Sequence, residues 1–591
     1  MRRRLLPAVV VATAAAALAA PTGLTGPASA AAPPSLTVTV MGTSDLHGNV
    51  YNWDYFSDKE YDDSAHNDVG LAKISSLVNQ VRTSRGRDRT LLFDSGDTIQ
   101  GTPLAYYYAK VEPITKTGAI HPMAAAMNAI GYDAVTLGNH EYNYGIKLLD
   151  KWQRQLTARV LAANAIDDRT GKPAYEPWVM KKILVPGQKP VKIGVLGLTN
   201  PGVAIWDKDN VKGKQHFDDL VATAKKYVPE MKAEGADIVV VTAHAGDSGF
   251  SSYGDDLPVE NASALVAQQV PDVDAVLFGH AHNDVPQRFV KNLVTGEQVL
   301  TAEPSRFGQR LTVMDFDVQR VGGEWQVTAK RSTNLNSNTV PADPKILDII
   351  APQHAKTVGY VNQVVAKSAV ELSGARGPFE DTPIVDLIQQ VQTEAVDTAL
   401  AGTEYADLPV LSVAAPFTRT ALFPAGDLRI KDVAGLYVYD NTLQAVLMTG
   451  AQVKDYLEFS ARYFSTLPVG APVVESQLTN ANGTPDYLYD MISGLDYDID
   501  VSRPVGSRVV GLRHPDGTPV AGSERFAVAV NNYRRSGGGN FPHVSTAPVI
   551  YDQQRDIRQM IVDWVTSKGV IDPAGFSDVN WRLVREGVPV F

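Results

Sequence analysis

Short apolar runs alternate with longer amphipathic stretches from Leu36 to about residue 340. Residues 36–41 are strand-like, rich in Val and Thr. Leu71, Ile74, Leu77, Val78 and Val81 then recur at helical spacing over 71–82. The alternation continues with a strand at 90–93, a helix at 122–130 and strands at 134–137 and 191–198. A helix at 220–233, a strand at 238–242, an apolar stretch at 264–270 and a strand at 275–278 complete it. Strands alternating with helices predict a layered α/β domain.

The pattern breaks at Val340-Pro341-Ala342-Asp343-Pro344. Asp343 is placed to cap a helix whose first residue is Pro344. Ile346, Ile349 and Ile350 supply its apolar face, and Pro352 predicts a kink or restart. A second α/β region follows Gln363. The expected organisation is a first domain over 36–340, a linker with an interrupted helix over 341–363, and a second domain over 364–591.

Composition narrows the chemistry. The 591 residues include 54 Lys and Arg against 65 Asp and Glu, so an extended nucleic-acid backbone is not the expected partner. A small phosphorylated substrate remains compatible, because a local metal charge can outweigh distant surface charge. There is no cysteine, which excludes disulfides, thiolate metal sites and cysteine nucleophiles. Any metal must be held by His, Asp, Glu, Asn or backbone groups.

The N-terminus has the layout of an export signal. Arg2, Arg3 and Arg4 precede an uncharged run over 5–20, and Ala28-Ser29-Ala30 is a small-x-small cleavage site. The run is shorter than the ~20 residues a spanning helix requires, and the arginines also suit a twin-arginine route. Cleavage near Ala30 removes three arginines and no acids, leaving 51 basic and 65 acidic residues and a net charge of -14. The expectation is a monomer, secreted, periplasmic or cell-surface, with no integral membrane segment after cleavage.

Five predicted strands end in ligand-type residues. The segments are Ser44-Asp45-Leu46-His47, Ser95-Gly96-Asp97, Gly138-Asn139-His140-Glu141, Ala243-His244-Ala245 and Gly279-His280-Ala281-His282. In an open α/β sheet, ligands bind at the carboxyl ends of strands. Each segment alone is commonplace. Together they gather five of the 11 histidines and predict one site. Oxygen and imidazole donors suit divalent Mn, Zn, Co or Fe.

In order and spacing these segments resemble the calcineurin-like metallophosphoesterases. The run from Val528 through Gly539 resembles the C-terminal domain of secreted nucleotidases, so the likeness covers nearly all of the mature chain. It implies a four-layer α/β/β/α sandwich followed by an α/β substrate-binding domain. It also implies a two-metal centre: Asp45, His47, Asp97 and His282 at one ion, and Asp97, Asn139, His244 and His280 at the other. By the same resemblance His140 is catalytic and not a ligand, stabilising the transition state or protonating the leaving oxygen.

Within that family two patterns compete. In 5′-nucleotidases an Asp stands where this chain has Asn143, and a Gly-Gly-x-Arg stretch stands where it has Ala415-Pro416-Phe417-Thr418-Arg419. Asn143 matches the 2′,3′-cyclic-nucleotide 2′-phosphodiesterase/3′-nucleotidases. An amide stabilises an imidazolium less than a carboxylate does, so His140 is expected to be less basic for it. Tyr439 and Tyr533 match positions that sandwich the nucleobase, Asn441 one that bonds its edge, and Arg419 is assigned as a further substrate contact. Gly537, Gly538 and Gly539 are expected to let the backbone approach the ligand. The implied reaction opens 2′,3′-cyclic nucleotides and then removes the 3′-phosphate, in nucleotide salvage. The alternatives are a 5′-nucleotidase/UDP-sugar hydrolase, an enzyme with both activities, and a nonenzymatic nucleotide-binding protein.

Overall fold

A computed structural model describes residues 34–253 and 257–591. The export segment at 1–30 lies outside them. Among the described residues no helix is long and apolar enough to cross a membrane.

Two six-stranded sheets face each other in the first domain. One is built around strand Ser35–Thr43, which pairs parallel with Thr90–Asp94 and antiparallel with Arg310–Val321. Ala134–Thr136 and Arg159–Leu161 continue the parallel side. In the other, Val191–Leu198, Ile238–Ala243, Ala275–Phe278 and Gln298–Pro304 run parallel.

Alternation of side chains decides which face meets which layer. Leu91 and Phe93 point into the core between the sheets, while Leu92 packs under the helices Leu71–Arg85 and Pro122–Ile130. Ile238 and Val240 reach the same inter-sheet core from the other side. Val239 and Val241 pack beneath the helices Leu220–Ala233 and Ser263–Gln269. Both faces of each sheet are therefore covered, which explains strands that read as continuous apolar runs. The layers are α/β/β/α.

The second domain is also α/β. Its five-stranded sheet has the order Met491–Ser493, Val410–Ala414, Arg525–Asn531, Thr442–Thr449, Val549–Asp556. One core joins this sheet to the helices Pro383–Leu400, Gly450–Ser460 and Ile557–Lys568.

Asp343 caps the connecting helix as expected, accepting from the Lys345 backbone N–H. The helix does not restart at Pro352: a single helix runs Pro344–Val361 with the proline inside it. Pro352 removes one N–H and leaves the Asp348 carbonyl without its helical donor. Both residues are exposed, so water can serve that carbonyl. The helix is bolted to the first domain by Ser75 to Asp343 at 2.6 Å, Tyr51 to the Leu347 carbonyl at 2.6 Å and Tyr55 to His354 at 2.8 Å. The chain leaves the first domain only after it.

One buried carboxyl pair makes stability depend on pH. Asp386 accepts from Ser577 Oγ at 2.6 Å, and neighbouring Asp381 accepts from the Asn580 backbone N–H at 2.9 Å. Burial, reinforced by the charge of Asp381, pushes the Asp386 carboxyl up to about 8. An acid raised in the folded state contributes stability that is complete below its ordinary pKa of 3.8 and is lost as pH rises through about 8. Asp386→Asn keeps the shape and cannot ionise. Its melting temperature should therefore fall less than that of the wild type between about pH 5 and about pH 9. Parallel melting curves over that range would reject this role for the pair.

Candidate metal centre and its cleft

All five ligand-bearing segments emerge at the carboxyl ends of strands, three from one sheet and two from the other. The convergence is tight. Asp45, His47 and His282 form one group whose ligand atoms lie within 4.8 Å of one another, and Asp97, His244 and His280 form a second. Asp97 lies between them: its Oδ2 is 2.9 Å from His244 Nε2 and 3.9 Å from His47 Nε2. His282 Nε2 is 3.2 Å from both Asp45 Oδ1 and His47 Nε2.

The backbone is bent to achieve this. Asp45, His47, Asp97, His280 and His282 all have φ between 45° and 76°, a region that disfavours ordinary side chains. Such strain persists only where the surroundings over-determine it. Glu141 is one restraint, its buried carboxylate accepting from the backbone N–H groups of Asp97, Thr98 and Gly138. Gly138 is required because a Cβ there would collide with the Asp97 carboxylate.

Hydrogen bonds orient the imidazoles. His47 Nδ1 is 3.1 Å from the Gln100 carbonyl and His244 Nδ1 is 2.9 Å from the Ser95 carbonyl. Each Nδ1–H donates, leaving Nε2 with a lone pair facing the cluster. His280 is held the opposite way, with Nε2 2.8 Å from Glu260 Oε1 and Nδ1 left for the centre. Its ring also stacks on Trp206, at 5.5 Å and 25° between planes.

The residues fit a pair of cations. Asn139 Oδ1 is buried without a hydrogen-bond partner, His244 Nε2 faces Asp97 Oδ2 at 2.9 Å, and all donors are nitrogen or oxygen. Burial opposes a charged His244, but Asp97, Asp45 and Glu141 outweigh it and push its pKa up to about 10. His47 goes the other way, burial taking it down to about 3.

His140 stands at the lip, about one third exposed, with Nε2 3.9 Å from Asp97 Oδ2. Its Nδ1 is 2.6 Å from Asn143 Oδ1. Burial opposes its charged form, but Asp97, the Asn143 bond and the charge of Asp207 together raise its pKa above the ordinary value.

The second domain supplies the opposite wall. Tyr439 precedes the strand Thr442–Thr449, and Tyr533 follows the neighbouring strand Arg525–Asn531, in which Asn531 pairs with Leu443. Antiparallel pairing thus brings both tyrosines to one sheet edge. Tyr439 meets Phe417 and Tyr487 edge-on, at 5.7 and 5.9 Å. Burial raises the Tyr487 and Tyr533 hydroxyls, and Glu260 adds to the shift in both from the metal side. Asp440 ties the walls together, accepting from Gln100 at 2.7 Å and Tyr144 at 2.9 Å.

Two residues of this wall have partners within their own domain. Arg419 is engaged elsewhere, gripping Asp486 at 2.6 and 2.8 Å and reaching Tyr463 and Asn480 at 3.0 Å. It fastens a loop of its own domain. Gly538 makes room for the Tyr533 ring, since a Cβ there would lie 2.5 Å from it. Asn441 donates to the Tyr437 hydroxyl at 3.2 Å. Glu260, Trp206 and Asp207 carried no short-range sequence signal; Glu260 lies 20 residues from the histidine it orients.

Comparison with known proteins agrees with this architecture. The calcineurin-like phosphoesterase domain matches residues 38–284, and the 5′-nucleotidase C-terminal domain matches 364–546. The 2′,3′-cyclic-nucleotide 2′-phosphodiesterase/3′-nucleotidase of Salmonella typhimurium is 33% identical, over 93% of this chain and 89% of that protein. The chain belongs to the 5′-nucleotidase family of calcineurin-like phosphoesterases. It is therefore a metal-dependent phosphoester hydrolase, in a family that uses two divalent ions. The trifunctional nucleotide phosphoesterase of Bacillus subtilis is 32% identical over 94% of this chain, which spans 39% of that longer protein. The 5′-nucleotidase of Vibrio parahaemolyticus is more distant, at 24% over 90% of each chain. A Staphylococcus aureus protein crystallised with α-ketoglutarate shares the fold, with TM-score 0.73 and 23% identity over 93% of this chain and 99% of that one.

Proposed function

We propose that this phosphoesterase is exported, acts as a monomer, and hydrolyses 2′,3′-cyclic nucleotides to 3′-nucleotides and then 3′-nucleotides to nucleoside and phosphate. The observation that carries the reading is the shared position of Asp97 between two His/Asp groups, with His140 beside it and an aromatic wall opposite. Asp45, His47, Asp97 and His282 would hold one ion, and Asp97, Asn139, His244 and His280 the other. When bound, the pair supplies Lewis-acid stabilisation of phosphoryl charge and lowers the pKa of water.

In the first step water adds to phosphorus, the P–O2′ bond breaks and the 2′-oxygen takes a proton. In the second, water adds again, P–O3′ breaks and the 3′-oxygen is protonated. His140 is the donor to each leaving oxygen, from Nε2. Tyr439 and Tyr533 hold the base from opposite faces, with Asn441 near its edge. Nucleosides and phosphate released outside the cell then serve salvage. Asn143, and the lower identity to a 5′-nucleotidase, favour this reading over 5′-nucleotide or UDP-sugar hydrolysis.

The test is turnover of 2′,3′-cyclic AMP, 3′-AMP, 5′-AMP and UDP-glucose, with divalent metal added or chelated. The first two should be the best substrates. Preference for 5′-AMP, or nucleotide binding without turnover in Mn, would overturn the reading. Tyr439→Ala and Tyr533→Ala should each raise KM for cyclic AMP about tenfold to hundredfold, the value of one base–ring stack at ~1–3 kcal/mol. Hydrolysis of the base-free bis(p-nitrophenyl) phosphate should be spared. Equal losses on both substrates would remove the base sandwich from the account.

A further inference from the structure

Behind His140 lies a carboxylate that no motif includes. Asp207 sits between the short helical segments Val203–Trp206 and Lys208–Val211 and is 4% exposed. A carboxylate so buried must be hydrogen-bonded. Asn143 Nδ2 donates to both of its oxygens, at 3.0 and 3.1 Å, and Asn210 Nδ2 adds a third bond at 3.3 Å. We propose that Asp207 is the positioning residue for His140, acting through the side-chain amide of Asn143. This rests on the reading of His140 given above.

The argument is one of donors and acceptors. An amide can turn either its oxygen or its NH2 toward a neighbour. Ionised Asp207 only accepts, so it draws Nδ2 of Asn143 to itself and leaves Oδ1 facing His140 Nδ1 at 2.6 Å. An oxygen there requires His140 Nδ1 to carry a proton. Nε2 is thereby directed toward Asp97 and the cleft, where it can carry the proton that is transferred. Without Asp207 the amide is free to flip. Its NH2 would then favour a bare Nδ1 and the opposite tautomer. The chain thus gains from an amide and a remote carboxylate what a carboxylate at 143 would supply directly. The same segment holds the other side of the site, since Trp206 stacks on His280.

The variants are Asp207→Asn, the exchange Asn143→Asp/Asp207→Asn, and Asp207→Asn in a His140→Gln background, all assayed as the metal-loaded enzyme on 2′,3′-cyclic AMP. Asp207→Asn is isosteric and should lower kcat about tenfold to hundredfold, with KM and metal content unchanged. The exchange restores an acceptor facing His140 and an amide behind it, and should recover kcat to within about threefold of wild type. In the His140→Gln background, Asp207→Asn should cost nothing more. A purely structural Asp207 would not be rescued by exchange and would lower activity in both backgrounds; either result overturns the proposal, as does wild-type kcat in the single variant. If His140→Gln retains wild-type kcat, the reading of His140 falls and the proposal with it. If His140→Gln is impaired while Asp207→Asn is not, the proposal alone falls.

Discussion

Asp97→Asn should nearly abolish turnover, lowering kcat by about three decades or more and metal content from two ions per chain to below one. The Asp97 carboxylate reaches both ligand groups and makes the shorter approach to His244, which Asp45 Oδ1 approaches only to 4.0 Å. One oxygen is 2.9 Å from His244 Nε2 and 3.9 Å from His47 Nε2, while the other accepts the His140 backbone N–H at 2.8 Å. Asparagine keeps the volume but removes a negative charge from a fully buried site. With its oxygen kept on the His140 N–H, it also turns toward the cations an NH2 group that has no lone pair to give them. Both ions then lose a ligand at once, and the Lewis-acid contribution to the transition state, worth several kcal/mol, is lost with them. At ~1.4 kcal/mol per decade this amounts to several decades. Elemental analysis beside single-substrate kinetics checks the claim. A variant that keeps two ions and wild-type kcat would show that Asp97 only braces the His140 backbone.

The metal cluster was legible in the sequence because its signals are local. Each ligand directly follows an apolar strand, and strands deliver their carboxyl ends to a common edge. The two-domain α/β order was legible for the same reason, since side-chain alternation separates Phe93 from Leu92 without any long-range information. The groups that orient the ligands were not legible. Glu260, Trp206 and Asp207 reach the site from segments with no ligand motif, and only tertiary packing brings them there.

Other departures have equally specific causes. Arg419 reads by the resemblance as a substrate contact, and the fold adds a bidentate partner, Asp486, 67 residues away. Pro352 reads as a helix break, but its exposed position lets the helix continue through it. Asn143 reads as a weaker partner for histidine than aspartate until Asp207 is seen behind it. For Arg419 and Asn143 the missing information was the group that faces the residue.

His140→Gln should lower kcat by about two to four decades while two ions per chain are retained, the range expected when a positioned proton donor is removed. Its Nε2 lies 3.9 Å from Asp97 and its Nδ1 is committed to Asn143, so the ring stands beside both ligand groups and belongs to neither. Glutamine can donate a hydrogen bond from a similar position but cannot give up a proton near neutral pH. The loss should therefore fall on kcat and kcat/KM together, with KM for 2′,3′-cyclic AMP little changed, as for an interaction made only in the transition state. The leaving group separates the two roles assigned to the ring. A ribose alkoxide must be protonated as it departs, whereas p-nitrophenolate need not be. If His140 is the proton donor, the variant should lose far less activity on bis(p-nitrophenyl) phosphate than on cyclic AMP. Equal losses on both would make it an electrostatic stabiliser of the phosphoryl oxygens. Loss of an ion from the variant would make His140 a ligand, and the division of the five histidines into four ligands and one reacting group would have to be redrawn.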